Sequence, residues 1–447
     1  MSDKSGSNHA RRLSFDALSE RVEAATPADR DRYLDFLRVA AIVLVIFGHW
    51  VVRVVTAPGG ELEASYLLVQ RPGWQWATLV FQVMPLIFLV GGALNARSWR
   101  RARANGVVPV QWVRRRARRL LTPTAGFLLI VVPIWLIAAG LIPGALLLDP
   151  GIALVPLWFI AVYLTIMALT PLTVTLHERG WSLPTITAAV LLAIVFDLTR
   201  LAALGPLVGT LPLAGVPNFL LIWVAIHQLG HLWADDRLPT RRGARAGLAL
   251  AGAGALALLV GAGPWPLTMI PLEGTFDPNN AAPPTVALFA LALVQLGLVL
   301  LLRDPVGRAL ARPWIWTPVA LLGARLMTLF LWHQVAMVVV TNLVAQQGWL
   351  PLTEDIDARW CAQQPIWLAA FALALAGLVA LTGWLEQAGD NDVPDCGGWG
   401  STLPGLALVV GAISSFLWLR LSDIPILPAL GVLALFLGGY QTLRPRG

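Results

Sequence analysis

The sequence predicts an all-α integral membrane protein of about twelve transmembrane helices, and three observations predict it. Of the 447 residues, 57% are hydrophobic and 13% charged, with a mean hydropathy of +0.71. Soluble domains run at about 25% charged and 45–50% apolar. The apolar residues fall in blocks of about twenty, the length a helix needs to cross the hydrocarbon core of a bilayer. The basic residues gather between alternate blocks, as the positive-inside rule requires. These balances exclude a cytosolic enzyme, a secreted disulfide scaffold and a free DNA-binding domain.

Taken in order, residues 1–32 are polar and hold no apolar stretch suited to a cleavable signal. They read as a disordered cytoplasmic tail with amphipathic helical potential at Leu13–Val22. Apolar runs follow at 39–57, 74–95, 120–140, 152–176, 184–204 and 213–233. Six more lie at 246–264, 284–302, 317–345, 365–386, 403–420 and 424–442. In lipid the backbone must satisfy its own hydrogen bonds, so each run is a helix. Pro85, Pro133, Pro156 and Pro171 are then kinks or span ends. The expected organisation is a cytoplasmic tail (1–32), a ten-span transmembrane domain (33–386), a polar linker (387–402) and a terminal hairpin with its tail (403–447).

Orientation follows from charge. There are 32 Lys and Arg residues against 25 Asp and Glu, a net charge of +7. With the N-terminus inside, 26 of the 32 fall on inner segments, nine of them in Arg97–Arg119. The exceptions are Arg53, Arg71, Arg200, Arg325, Arg359 and Arg420. Both termini are therefore expected in the cytoplasm, and the basic excess sets topology rather than binding nucleic acid. Lys4 is the sole lysine, and that arginine bias suggests a GC-rich bacterial source, hence a bacterial cell membrane. The two cysteines, Cys361 and Cys396, sit in separate loops and give neither metal spacing nor a disulfide framework.

Ionisable residues inside a membrane are costly and mark functional sites. The sharpest set is in the first span, where Arg38 and His49 are separated by ten residues. At 100° per residue they share a helix face, with an axial separation of about 16 Å. Arg38 then lies at the inner interface and His49 near the midplane, where a neutral imidazole can abstract a proton. Gly48 beside it permits close approach of a ligand or a helix. The plainer alternative is a hydrogen-bonded histidine and an arginine that marks the membrane boundary.

Here the chain resembles the acyltransferase 3 family of multi-pass, acyl-CoA-dependent O-acyltransferases. The family's Arg-x10-His motif, preceded by Leu-Asp, stands as Leu34-Asp35-Phe36-Leu37-Arg38 and His49. Met84–Leu94 is similar to its Pro-Phe-Phe-x-x-Ser-Gly-x-Leu segment, with Gly91 where serine is usual. Val113–Pro123 resembles its basic entry to the third span, Leu157–Ile160 its Trp-Phe-Leu segment, and Leu329–His333 its late aromatic span ending in histidine. The resemblance covers residues 30–386 and leaves the last hairpin as an addition.

It implies transfer of an acyl group, acetyl by default, from cytoplasmic acyl-CoA to a hydroxyl of a glycan, a lipid-linked or a small-molecule acceptor. No bound cofactor or metal is expected beyond acyl-CoA as donor substrate. By the resemblance His49 is the catalytic base and Arg38 helps hold the donor. Asp35, Arg115, Arg116, Arg119, Trp158, Arg325 and His333 are the further candidates for substrate contact. The donor's chemistry suits this: its phosphates need arginine near water, while its pantetheine arm reaches a distance on the order of the Arg38–His49 rise. His49 could deprotonate the acceptor or carry the acyl group covalently. The arginine run also suits lipid headgroups.

Weaker candidates complete the reading. His227 and His231 have the i, i+4 spacing of metal ligands but lack an evident third, so polar packing or substrate contact is the expectation. Asp197 and Arg200 are expected to neutralise each other within span five, and Arg53 to contact an acceptor or snorkel to the outer interface. The competing functional readings are a transporter or flippase, which buried Asp, Arg and His would also suit, and a non-catalytic member of the fold. Oligomeric state is not legible.

Overall fold

A computed structural model describes residues 4–141, 146–202, 207–208, 211–272, 279–344, 347–388, 397–418 and 426–444. Helix α1 (Lys4–Ala25) precedes α2 (Arg32–Val52), and strands β1 (Arg53–Thr56) and β2 (Glu63–Tyr66) pair as an antiparallel hairpin beyond it. Short helices α3 (Leu67–Gln70) and α4 (Thr78–Phe81) lead into α5 (Met84–Ala104) and the long α6 (Pro109–Leu141). Then come α7 (Leu157–Ala168), α8 (Thr170–Glu178) and α9 (Ser182–Leu201). The two-residue strands β3 (Leu207–Val208) and β4 (Leu211–Pro212) pair before α10 (Asn218–Ala234), α11 (Arg242–Gly261) and α12 (Val286–Leu310). The chain continues through α13 (Pro313–Gly323), α14 (Leu326–Val339), α15 (Ala358–Thr382) and α16 (Trp384–Ala388). The hairpin of α17 (Trp399–Trp418) and α18 (Ile426–Thr442) closes it.

Among the described residues, eleven helical stretches are long and apolar enough to cross a membrane. The apolar α18, of 17 residues, is shorter. The protein is thus the multi-pass helical membrane protein that the composition predicts, with its spans close to the expected runs.

Three parts differ from the sequence reading, one of them at Leu169, where the apolar run 152–176 divides into α7 and α8. The expected disordered tail is the 22-residue helix α1, which packs on α13. Ser19 and Thr317 hydroxyls meet at 3.1 Å, Trp316 donates its indole N–H to Thr26 at 3.0 Å, and the Arg32 guanidinium lies 5.0 Å from the Trp316 ring centre. The apolar run 317–345 is not one helix either. It breaks between α13 and α14, because the Glu386 carboxylate caps a fresh N-terminus there. Glu386 accepts from the backbone N–H groups of Met327 and Thr328 at 3.1 and 3.2 Å and from the Thr328 hydroxyl at 2.8 Å.

Helix α2 is surrounded by α5, α12, α13 and α14, and its face is fixed by Leu34, Leu37, Ala41, Ile42, Val45 and Ile46, all buried. Helices α5 and α10 cross in backbone contact. A Cβ on Gly92 would stand 2.1 Å from the His227 carbonyl oxygen, and one on Gly230 2.2 Å from that of Leu89; small residues make such approaches in membranes. The terminal hairpin packs on α6 and α7 rather than standing apart. Its expected linker, 387–402, lies outside the described residues at 389–396, and α17 already begins at Trp399.

Candidate active site

The site grows from the two ends of α2. At its N-terminal end Asp31 caps the helix, accepting from the Leu34 N–H at 3.1 Å and from Arg97 at 2.9 Å. Asp35 accepts from Arg30 at 2.6 Å and from Arg38 at 3.5 Å. Arg38 and Arg119 both lie within electrostatic reach of Arg116. Arg116 donates to the side-chain Oδ1 of Asn95 at 2.7 Å, and the Asn95 side-chain amide donates to the Tyr163 hydroxyl at 3.2 Å. Arg38 of α2 and Arg119 of α6 thus lie near Arg116, toward the Asp35 end of the bundle. Arg115 is half-buried on the same turn of α6.

The arginine run divides by helix face. Arg114 and Arg118, four residues apart, turn to the hairpin instead. Arg114 is fully buried and donates to Thr402 Oγ1 at 3.2 Å and to the carbonyl oxygens of Thr442 and Arg444, each at 3.0 Å. Arg118 donates to the Leu443 carbonyl at 3.3 Å.

Three turns along α2, His49 meets His333 of α14, with ring centres 5.1 Å apart. The Val45 carbonyl stands 2.8 Å from His49 Nδ1 and can only accept, so Nδ1 carries the proton and Nε2 keeps its lone pair. By the same logic His333 donates Nδ1–H to the Phe330 carbonyl at 2.6 Å, and its Nε2 lies 3.4 Å from His49 Nδ1. His333 is fully buried, whereas His49 is partly accessible. Trp50 locks the pair by donating its indole N–H to the His333 carbonyl at 3.0 Å. Beside Gly48 the close approach is made by Phe81, whose ring would lie 3.4 Å from an added Cβ.

The remaining predicted residues lie elsewhere. Trp158 belongs to an aromatic core, 6.2 Å from Trp223, which stacks on Phe88 at 4.3 Å. That core reaches His333 only through Phe159 and Phe330. Arg325 sits at the break before α14 and donates to the Gly383 carbonyl at 2.6 Å, so it ties helices together rather than lining the histidine pair. Gly91 has a physical reason: a Cβ there would stand 2.8 Å from the Tyr163 ring.

Sequence reading missed the polar file behind Arg116. Asn95 also bonds His227 at 3.3 Å, the His227 and His231 rings are 4.9 Å apart, and His231 bonds Gly92 O at 3.2 Å and Thr173 at 3.1 Å. Their i, i+4 spacing places both rings in this file, and among the described residues no group of three possible metal ligands occurs. His177, fully buried, bonds Asp235 at 2.7 Å. Burial pushes the Asp235 carboxyl up, but hydrogen bonds from His177 and Arg100 outweigh it and hold the group below its ordinary value. The Arg103 guanidinium likewise holds Glu178 down. Asp197 and Arg200 remain in electrostatic reach, yet their hydrogen bonds go elsewhere: Asp197 accepts from Asn218 at 2.9 Å and Val286 N at 3.0 Å, and Arg200 donates to Asn279 and Pro283 carbonyls at 3.4 Å. The signal for the file was in the sequence, as two histidines and an asparagine in apolar runs and a third histidine just past one, but their partners are far apart along the chain.

The multi-pass helical bundle thus holds a group of arginines toward one end of α2 and a pair of histidines in ring contact further along it. A family model for the acyltransferase domain matches residues 31–385, and the chain belongs to the acyltransferase 3 family. No curated protein and no solved structure matches the chain. The family makes it an acyltransferase, with an acyl donor and an acceptor as its substrates.

Proposed function

We propose that this acyltransferase moves an acyl group, acetyl by default, from cytoplasmic acyl-CoA to a hydroxyl of a glycan, lipid-linked or small-molecule acceptor, with His49 as the base. The observation that carries this is the tautomer of His49, whose Nδ1–H is spent on the Val45 carbonyl and leaves Nε2 as a basic lone pair. In the reaction the acceptor oxygen attacks the thioester carbonyl as Nε2 takes its proton. The C–S bond then breaks, and the CoA thiolate leaves and collects the proton from the imidazolium. The Arg38, Arg116 and Arg119 group supports a donor bound by its phosphates. Those phosphates would stay by the Asp35 end while the pantetheine arm runs about 16 Å along α2, by the rise of eleven residues. The 26 inner basic residues support cytoplasmic termini and entry of the donor from the cytoplasm of a bacterial cell.

The test follows CoA release from acetyl-CoA, with and without a pool of hydroxyl-bearing glycans, by the detergent-purified protein and by His49→Ala. Thermal melts check folding of both. The expected result is release by the wild type and at least a hundredfold loss in a variant that melts normally, the lower end of what a positioned base contributes. Equal rates in two folded proteins would remove His49 from the mechanism.

A further inference from the structure

Between α5 and α6 a single buried amide joins the arginine run to the rest of the bundle. Asn95 is fully buried and follows a stretch, Met84–Leu94, that is wholly apolar or glycine. A polar group in such a place is costly unless its atoms are all used. Its orientation follows from its partners. The Arg116 guanidinium carries donors only, so the atom it meets at 2.7 Å is Oδ1. Nδ2 then faces away, with its two hydrogens for two acceptors, the Tyr163 hydroxyl at 3.2 Å and His227 Nε2 at 3.3 Å. A turned amide would set donor against donor at Arg116. We propose that Asn95 is a positioning residue for the acyl donor: it aims the Arg116 guanidinium through a neutral oxygen and leaves its charge for a phosphate of acyl-CoA. The inference rests on the acyl-transfer reading above and deepens it.

The kind of partner is the first support. On α5, Arg97, Arg100, Arg101 and Arg103 each meet a carboxylate, those of Asp31, Asp235, Asp29 and Glu178. Arg38 meets Asp35. Arg116 meets no carboxylate among the described residues; its contacts are Asn95, Tyr163 and the Trp112 ring, whose centre is 5.9 Å away. Aspartate has nearly the size of asparagine, so the amide at this position is a difference of charge and not of room. A carboxylate here would hold Arg116 as firmly and cancel its charge.

The surroundings are the second support. Arg116 is only partly exposed and has Arg38 and Arg119 as like-charged neighbours. Cations gathered where water is scarce repel one another, and a bound anion offsets that repulsion. The amide is also held from behind. The backbone contact of α5 and α10 at Gly92 and Gly230 brings His227 to Asn95. His227 in turn packs on His231, which bonds the Gly92 carbonyl and Thr173. A cation fixed in this way loses little freedom when it takes its ligand.

The experiment titrates CoA into the detergent-purified full-length protein by calorimetry, and measures KM and kcat for acetyl-CoA with the glycan pool. It compares the wild type with Asn95→Asp, Tyr163→Phe and Arg116→Ala. Asn95→Asp keeps the size of the side chain and puts a carboxylate on Arg116. Tyr163→Phe keeps the ring and removes only a hydroxyl that fixes the amide, so it decides the matter if Asn95→Asp melts early. The expected result is a CoA dissociation constant and a KM raised about tenfold by Asn95→Asp and about threefold by Tyr163→Phe, with kcat within about twofold of the wild type. Added salt should weaken CoA binding less in Asn95→Asp than in the wild type, because one cation is already neutralised. A kcat that falls as KM rises, with an unchanged salt response, would mark a loosened fold and overturn the proposal. CoA affinity unmoved in both folded variants but lowered in Arg116→Ala also overturns it, and leaves the donor site standing. Equal CoA affinity in the wild type and Arg116→Ala takes the donor off Arg116, and the role of Asn95 falls with that assignment.

Discussion

His49 shows how far a residue's chemistry can be read before its neighbours are known. Its place on the face of Arg38 follows from eleven residues at 100° each, and its depth from the apolar run around it. Which nitrogen carries the proton does not follow, because that depends on whether a carbonyl lies within reach; Val45, one turn back, supplies it at 2.8 Å. His333 was legible only as a histidine in a familiar aromatic setting, since its contact with His49 joins residues 284 apart in sequence. On the proposed mechanism, with His49 as the base, the two histidines have unequal roles. His49 Nδ1–H keeps the Val45 carbonyl if His333 is removed, so His333 orients and does not hold the base alone. One neutral hydrogen bond contributes about 1 kcal/mol, which is somewhat under a factor of ten in rate. His333→Phe should therefore lower kcat on the order of five- to tenfold, leave the KM for acyl-CoA unchanged, and spare the melt. A loss as deep as that of His49→Ala, in steady-state kinetics on folded protein, would instead make His333 a partner in the proton transfer.

At the scale of elements, the basic stretch of α6 divides between two sets of contacts that charge counting merges. From the sequence Arg114 to Arg119 is a single cationic run, and its density only says which side of the membrane it occupies. The helix separates it: Arg114 and Arg118 share a face by i, i+4 spacing and bind the hairpin, while Arg116 turns toward Asn95 and Arg38. The break before α14 was hidden for a similar reason, because the cap that makes it, Glu386, lies 58 residues from Thr328. Apolar spans, their order and most of their ends were legible because lipid imposes length and polarity locally; caps, breaks and side-chain pairings were not, because they are made between distant segments. The Arg114 arrangement predicts a large effect from a small change. Arg114→Ala would strand the part-buried carbonyls of Thr442 and Arg444 and the Thr402 hydroxyl that now receive a charged donor, and hydrogen bonds to a charged group are worth about 1.5–3 kcal/mol each before compensation. The expected loss is on the order of 3 kcal/mol, read as a clear fall in melting temperature in detergent. Arg114→Lys should recover little of it, since one ammonium cannot span the carbonyls of both Thr442 and Arg444 as the planar fork does. A melt unchanged in both would mean the hairpin docks through apolar contact alone.

Across the whole molecule, the two ends of α2 differ: the Arg38, Arg116 and Arg119 group lies toward one, a small aromatic recess lined by Trp50, Trp360, Trp367 and Phe371 lies at the other, and the histidine pair lies between them. This division has a meaning only if the ends open to different compartments, and charge argues that they do. Of the 32 basic residues, 26 fall on the segments that alternate to the side of Arg38, and translocating them would oppose the bias that orients membrane helices. The recess end carries its own reporter. Cys361 is exposed on the first turn of α15, directly after Trp360 of the recess wall, whereas Cys396 belongs to the linker on the opposite side by the same alternation and lies outside the described residues. Two single-cysteine proteins, Cys396→Ser and Cys361→Ser, separate the sides. In intact cells a membrane-impermeant maleimide should label the protein that keeps Cys361 at once and the protein that keeps Cys396 only after the membrane is opened. That pattern puts the recess outside and the arginine cluster inside, so that on the proposed mechanism the donor enters from the cytoplasm and its thioester reaches His49 about halfway through the bilayer. The reverse pattern would turn the recess toward the cytoplasm, place the arginines on the side that lacks acyl-CoA, and end the assignment of the donor to the Arg38 end.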